Sequence, residues 1–292
     1  MTKRILITGK NSYIGQSVLQ WLKNFYPQPL IIDELCLEDE SWKNTDFSSY
    51  NTILHVAGIA HADIGKANND LKRLYRTVNT NLAISVATKA KSDGVTHFIF
   101  MSSIIVFGDS APIGKQKRIT ANSTPEPANF YGDSKLQAEI GINALQDKNF
   151  KIAIIRPPMV YGNGAKGNYQ RLVKLAQRLP LFPAVKNERS MIHIDNLCEF
   201  IRLIINDQAT GTFHPQNAEY VQTSNLVALI AKKYHKNLRL IRFLTPFLQP
   251  LARIFGSVNK MFGNLSYDMS LSEYQSDYQV RSFDDSIEIT KQ

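Results

Sequence analysis

The sequence predicts an α/β fold, a doubly wound parallel sheet followed by a smaller C-terminal domain, on three observations. Short apolar runs alternate with helical stretches as far as Pro158. The first run leads straight into a turn bounded by glycines, "TGKNSYIG" (8–15). After Pro158 the alternation stops, and a Gly- and Asn-containing loop, "YGNGAKGN" (161–168), opens a region of shorter elements broken by Pro180, Pro183, Pro246 and Pro250. Parallel strands joined by crossover helices are covered on both faces, so they read as continuous apolar runs rather than as alternating ones.

Taken in order, "RILIT" (4–8) reads as a buried strand, and Tyr13 to Phe25 as a helix with Ile14, Val18, Leu19 and Leu22 on one face. "PLIIDELCL" (29–37) contains the second strand, "NTILHVA" (51–57) the third and "THFIFMS" (96–102) the fourth, which follows a long helical stretch that includes Leu71 to Lys91. "FKIAIIRPP" (150–158) is the fifth. This spacing describes a Rossmann-type domain over residues 1–160 and a second domain over 161–292, with the segment near 190–200, around "RSMIHIDNL", a candidate to return to the first. No internal repeat or low-complexity linker interrupts the chain.

With 292 residues, 43% of them hydrophobic, the chain can bury one large core or two unequal ones. It holds no apolar run of about 18 residues and no signal-peptide pattern, so a soluble, cytoplasmic protein is expected. Cys36 and Cys198 lack metal-ligand spacing and read as reduced apolar fillers, so no metal is expected. The net charge of +9 is uneven: between Tyr220 and Tyr267 there is no Asp or Glu, while Lys232, Lys233, Lys236, Arg239, Arg242, Arg253 and Lys260 fall inside. Such a patch suits an anionic ligand, a membrane surface or plain solvent. No recognition module accompanies it, so nucleic acid is not an expected partner. "RLIRFLTPFLQPLARIFGSVNKMFG" (239–263) has the apolar and basic mixture of a peripheral membrane contact, with a helix pair packed on the core as the alternative.

Three features carry chemistry. In the glycine turn, Gly9 and Gly15 take the outer positions of a dinucleotide-binding pattern, while Ser12 stands where a middle glycine would let pyrophosphate approach. The turn follows the first strand and opens the first helix, whose N-terminal amides favour an anion. Asp33, or Glu38, at the end of the second strand suits the adenosine ribose hydroxyls, and an acid there favours NAD over NADP. Tyr131 and Lys135 in "FYGDSK" stand four apart, which places an ammonium beside a phenol, lowers a pKa that is ordinarily near 10, and makes Tyr131 a usable acid or base. "FIFMSSIIVFG" ends a strand in Ser102 and Ser103, at the sheet edge where open α/β folds bind ligands.

Together with "LHVAG", Asn79 in "TVNTN", "RPPMVYG" and "RSMIHIDN", these motifs span nearly the whole chain, which resembles an extended short-chain dehydrogenase/reductase of the NAD-dependent epimerase/dehydratase family. The resemblance implies NAD or NADP as cofactor, held by Gly9, Ser12, Tyr13, Ile14, Gly15, Asp33, Ala57, Asn79, Tyr131 and Lys135. It implies Tyr131 as general acid/base, Lys135 as the residue that orients the nicotinamide ribose and lowers the Tyr131 pKa, and Ser103 as the hydrogen-bonding partner of the reacting oxygen. Ser103 is preferred to Ser102 because it precedes Phe107 by four residues and Gly108 by five. Asn168 in "GAKGNYQRL" and Arg189 in "ERSMIHIDN" are implied to bind the diphosphate of a UDP-sugar, and His193 is read as structural. Departures from the family pattern are Ser12, Phe107 for a tyrosine, Ala60 where some 4-epimerases have lysine, and Met159 for an asparagine.

"RLPLFP", "KMFGNLSYD" and "YQVRSFDDSI" are similar to a subgroup from bacterial capsule and O-antigen pathways of surface polysaccharide biosynthesis. The leading expectation is therefore reduction of the C4 ketone of a UDP-2-acetamido-2,6-dideoxy-4-hexulose, ahead of 4-epimerisation of UDP-glucose or UDP-N-acetylglucosamine. Ile104 and Ile105 after Ser103 supply no acidic pair for a dehydratase. A non-catalytic regulator that senses the dinucleotide is a third reading, and a homodimer is implied by the family.

Overall fold

The computed structural model describes residues 2–60, 69–165, 167–244, 247–248, 250 and 256–290. Lys166 of the glycine- and asparagine-containing loop, and Thr245, Pro246, Gln249 and 251–255 of the basic segment, Arg253 among them, lie outside the described residues.

In chain order the strands are β1 (Lys3–Thr8), β2 (Leu30–Leu35), β3 (Thr52–His55), β4 (His97–Met101), β5 (Arg118–Ile119), β6 (Lys151–Ile155), β7 (Met159–Tyr161), β8 (Leu181–Pro183), β9 (Met191–His193), β10 (Gly211–Phe213), β11 (Arg239–Ile241) and β12 (Ser266–Tyr267). The helices are α1 (Tyr13–Phe25), α2 (Asn69–Tyr75), α3 (Leu82–Ser92), α4 (Phe130–Asn143), α5 (Asn168–Arg178), α6 (Ile194–Asp207), α7 (Thr223–Lys233), α8 (Gly256–Phe262) and α9 (Phe283–Ile289). The chain forms two compact units. One comprises Met1–Gly108, Pro125–Pro157 and Leu197–Pro215, and the other Asp109–Thr124, Pro158–Asn196 and Gln216–Gln292. The chain passes between the units at several points, between Pro157 and Pro158 among them.

The first unit is built on a parallel sheet of order β10-β6-β4-β3-β1-β2. Ile5, Ile7, Ile53, Leu54, Phe98, Ile99 and Ile152 to Ile155 are fully buried in its central strands. Each large side chain so enclosed contributes about 1.5–3 kcal/mol, which is why these strands are continuous apolar runs. The edge strand β2 is only half-buried, and Ile31 is exposed. On one face, Val86, Ala87 and Ala90 of α3 and Ala138 and Ile142 of α4 pack with Ile53, Phe98, Phe100, Ile152 and Ile154. β10 was not among the expected strands: it is three residues long, with Phe213 as its one large apolar residue.

β1 lies between β2 and β3, so the strand order reverses at β1 and a crevice opens at the carboxyl ends of β1 and β3. α1 leaves that edge, with Val18, Leu19 and Leu22 buried as expected and Gly15 beside them in place of Ile14. The helical stretch expected through Leu71 to Lys91 is divided: α2 and α3 are joined by a π-helical turn, Arg76–Asn81. Such turns are rare and concentrate at functional sites.

The second unit holds three two-stranded parallel pairs among the described residues, β5 with β12, β7 with β9 and β8 with β11. Strands this short leave many backbone groups to side chains. The Asn217 side chain meets part of that need, accepting from His193 N and Asn196 Nδ2, each at 3.0 Å, and donating to the Tyr161 hydroxyl at 2.9 Å.

Gly9 has a φ of +101°, and a Cβ added there would stand 2.7 Å from the backbone nitrogen of Ala57 and 2.9 Å from its Cα. Backbone atoms cannot swing aside as a flexible side chain can. Gly9→Ala is expected to cost about 2–4 kcal/mol in urea denaturation, combining left-handed strain with the clash. An unchanged midpoint would contradict this packing.

Candidate active site

α4 begins where the Asn129 side chain accepts a hydrogen bond from Gly132 N at 3.0 Å. Its buried face then carries Gly132, Ser134, Lys135, Ala138, Glu139 and Ile142, an apolar stripe with two charges in it. The Tyr131 phenol faces the Ser103 hydroxyl, and its ring lies 5.9 Å from that of Tyr75. At the end of β4 the alternation of a strand sends the two serines apart. Ser102 donates to the Glu139 carboxylate, whereas Ser103 faces Tyr131 and accepts from Ile105 N at 3.3 Å, capping the short helical turn Ile104–Phe107.

The Lys135 ammonium donates to the Met101 carbonyl at 2.9 Å and stands 4.8 Å above the Phe100 ring. Burial pulls its pKa down to about 8, against the opposing pull of Glu139. Glu139, 3% exposed, is bound by Arg156 through Nε at 3.0 and 3.2 Å and Nη2 at 2.6 Å. The Arg156 guanidinium lies 5.0 Å over the Phe107 ring, so the residue that departs from the family tyrosine has a cation as its neighbour.

The expected electrostatics of Tyr131 need correction. Burial pushes its phenol up to about 12, the facing Ser103 hydroxyl lowers it in part, and Tyr75 adds a smaller upward push. Lys135 is held by the Met101 carbonyl of β4 and does not pull the phenol down.

At the crevice, Ser12 has φ −70° and ψ 146°, an extended conformation open to any residue, so the turn does not require glycine there. Its hydroxyl accepts from Gly15 N at 3.1 Å and caps α1. The first turn of α1 carries no acid to offset the helix dipole, and the close approach of Gly9 to Ala57 keeps the turn against β3. These features fit a dinucleotide pyrophosphate at the Gly9–Gly15 turn, with the amides of Tyr13 and Ile14 in the first turn of the helix.

A Cβ on Gly58 would lie 3.0 Å from Asn79 Oδ1 and 3.2 Å from Lys135 Nζ, so the chain after β3 runs closely against both. Asn79 is fully buried: its Oδ1 accepts from Ile59 N at 2.9 Å, and its Nδ2 donates to Ile59 O at 3.0 Å and Ser134 Oγ at 3.1 Å. Its side chain therefore pins the chain after β3 to α4.

Asp33 accepts from the Tyr50 hydroxyl at 2.9 Å and lies 3.8 Å from Arg4. The next residue, Glu34, points to the other face, where it accepts from Gln16 of α1. Asn168 and Arg189 belong to the second unit. Asn168 opens α5 after Gly167, whose φ is +79°. Arg189 Nη1 donates to the carbonyls of Lys260 and Gly263 at 3.0 and 3.1 Å and to Ser110 Oγ at 3.4 Å, and burial lowers its pKa to about 10. Glu139, Arg156 and Glu34 escaped the sequence reading. For Glu139 a signal existed, since it shares the helix face of Lys135, Ala138 and Ile142.

A family model described as "RmlD substrate binding domain" matches residues 3–250. The chain belongs to this family. Among curated relatives of the RmlD-family chain, a UDP-glucose 4-epimerase of Vibrio cholerae is 30% identical over 293 residues, 92% of this chain and 88% of the relative. An N-acetyl-alpha-D-glucosaminyl-diphospho-ditrans,octacis-undecaprenol 4-epimerase of Escherichia coli O157:H7 is 24% identical over 258 residues, 82% of this chain and 74% of the relative. Among solved structures, a UDP-glucuronic acid 4-epimerase from Bacillus cereus in complex with NAD matches with a TM-score of 0.73 at 16% identity, covering 98% of this chain and 97% of that one, which shows the shared fold. The RmlD-family chain is an extended short-chain dehydrogenase/reductase, homologous to NAD(P)-dependent nucleotide-sugar reductases and epimerases.

Lys135 gives a test of this burial. Its folded pKa, about 8, lies below the ordinary 10.5, so below pH 8 the folded state carries a charge that burial penalises. Between those values the folded state loses the proton first, and stability rises with pH. Lys135→Met is expected to melt above wild type near neutral pH, by a margin that shrinks as pH rises from about 8 towards 10.5. A margin that grows over this range would refute the account.

Proposed function

We propose that this protein is an NAD(P)-dependent enzyme acting at C4 of a UDP-sugar, and that its net reaction is 4-epimerisation. The observation that carries the reading is the placement of Tyr131 and buried Lys135 on one helix, α4, with Lys135 bonded to the carbonyl of Met101 at the carboxyl end of β4 and Ser103 following two residues later. From the sequence alone, reduction of a UDP-2-acetamido-2,6-dideoxy-4-hexulose ranked first. The likeness of nearly the whole chain to a UDP-glucose 4-epimerase supports the opposite order. Both reactions use the same residues for the proton. Retention of Tyr131 and Lys135 speaks against a regulator without activity.

A dinucleotide at the Gly9–Gly15 turn would supply the acceptor and donor of hydride at sugar C4. Ser103 holds the C4 oxygen, and Tyr131 takes its proton and returns it. A phenol held near 12 is an acid at neutral pH. Its work as a base depends on positive charge brought close to it, and Lys135 is the chain's own source, besides orienting the nicotinamide ribose. Ala57 and Asn79 shape the cofactor's floor. Asp33 and the adjacent Glu34 are the candidates for the adenosine ribose: Asp33 accepts from Tyr50 and lies beside Arg4, and Glu34 accepts from Gln16. An acid there favours NAD. Asn168 and Arg189 are assigned to the diphosphate of the sugar nucleotide. A cytoplasmic homodimer in surface polysaccharide biosynthesis remains the setting that the sequence implies. A second reading, epimerisation of an N-acetylhexosamine on a polyprenyl diphosphate, is supported by the E. coli relative.

Purified protein with NAD is expected to interconvert UDP-glucose and UDP-galactose, or their N-acetyl counterparts, by NMR, without net change in dinucleotide absorbance. Tyr131→Phe is expected to lower turnover at least about 100-fold while dinucleotide still binds. Stoichiometric oxidation of NADH or NADPH by the 4-keto sugar, with no epimerisation, would replace this reading with the reductase. Wild-type turnover in Tyr131→Phe would remove that residue from the chemistry.

A further inference from the structure

The second unit carries a surface that the proposed chemistry does not use. β8 pairs with β11 so that Arg239 lies opposite Leu181 and Leu240 opposite Phe182, and Arg239 N donates to the Pro180 carbonyl at 2.9 Å. Phe182 points inward, with its ring 5.5 Å from that of Phe262. The side chains around it point outward: Leu181 is 47% exposed, Leu240 37%, and Phe243, in the short helical turn after β11, 70%. Arg178 at the end of α5, Arg239 and Arg242 are exposed among them.

The two stretches of chain that meet at this pair carry charge of one sign. No Asp or Glu occurs between Asp147 and Glu188, or between Glu219 and Asp268; these are the two longest acid-free stretches of the sequence, and β8 and β11 join them. Single exposed apolar side chains are ordinary. Two on one two-stranded pair and a third, Phe243, in the turn that follows it, interleaved with arginines and with no acid in either stretch, have the composition of a surface that enters the boundary of a bilayer. A second copy of the same face would set like charges against each other. Nucleic acid would satisfy the arginines and could stack on Phe243, but it leaves the aliphatic Leu181 and Leu240 in water, whereas a bilayer boundary takes them up.

We propose that the β8–β11 face, with Leu181, Leu240 and Phe243 as its apolar side chains and Arg178, Arg239 and Arg242 as its cations, docks the protein on an anionic lipid surface. Phenylalanine and leucine side chains enter the acyl boundary, and the guanidinium groups meet headgroup phosphates. The membrane contact expected from residues 239–263 thereby gains a partner segment, the end of α5 and β8, that linear charge did not reveal.

Flotation with phosphatidylcholine vesicles, with and without phosphatidylglycerol, tests this independently of any sugar substrate. Wild type is expected to float with the anionic vesicles alone, and less as salt is raised. The pairs Arg239→Glu with Arg242→Glu, and Leu240→Ser with Phe243→Ser, should each weaken binding about tenfold or more at an unchanged thermal midpoint. If a pair lowers the midpoint, Arg242→Gln and Phe243→Ser singly serve as the test. The proposal fails if wild type does not float at low salt, if neutral vesicles bind it equally, or if the variants float like wild type. It also fails if the arginine pair abolishes binding to duplex DNA while vesicle binding persists, or if the same variants dissolve a dimer and leave flotation intact.

Discussion

The Glu139 carboxylate is the constraint around which the first unit is arranged. Nearly inaccessible to water, it holds Arg156 just beyond the end of β6 and Ser102 just beyond the end of β4, one helical turn after Lys135. Buried ion pairs are often no more stabilising than apolar side chains of the same volume, but breaking one is costly, so they fix geometry more than they add stability. A hydrophobic trio would leave Lys135 as a buried cation without a counter-charge. The protein instead accepts a charged stripe on the inner face of α4, and Phe107 covers Arg156 with a ring that needs no hydrogen-bond partner of its own.

A second constraint is the absence of space between the loop after β3 and its neighbours. Gly9 meets the backbone of Ala57, and Gly58 meets Asn79 and Lys135. The π-helical turn helps explain how Asn79 comes to be there: it interrupts the register of the helix and brings an amide whose acceptor oxygen and both donor hydrogens are spent on Ile59 and Ser134. A site of this kind is rigid before any ligand arrives. Its backbone is held by side chains that would otherwise be candidates for binding.

These details mark where the sequence stops being informative. Buried strands are legible because β3, β4 and β6 need uninterrupted apolar side chains, and the spacing of Tyr131 and Lys135 is legible because it is one helical turn. β10 is too short to leave a pattern, and Asp109–Thr124 carries nothing that shows to which unit it belongs. Choice of partner is tertiary and leaves no local trace. Asp33 and Glu34 are chemically alike, yet one turns to Arg4 and Tyr50 and the other to Gln16. Ser12 looked like a damaged glycine turn, but its backbone is extended and its hydroxyl is a helix cap.

The same limit explains why the Tyr131 electrostatics came out reversed. Two side chains four apart on a helix can meet, but each turns to whatever donor or acceptor the neighbouring element offers. For Lys135 this is the Met101 carbonyl, and for Tyr131 it is the Ser103 hydroxyl. The phenol at rest is therefore a neutral acid facing a neutral hydroxyl, and the nearest ammonium is occupied elsewhere. Lowering that pKa takes either a displacement of Lys135 or added positive charge beside the ring. On the proposed function, burial that suppresses the phenolate until such a charge is present would tie proton transfer at this helix to occupancy of the site.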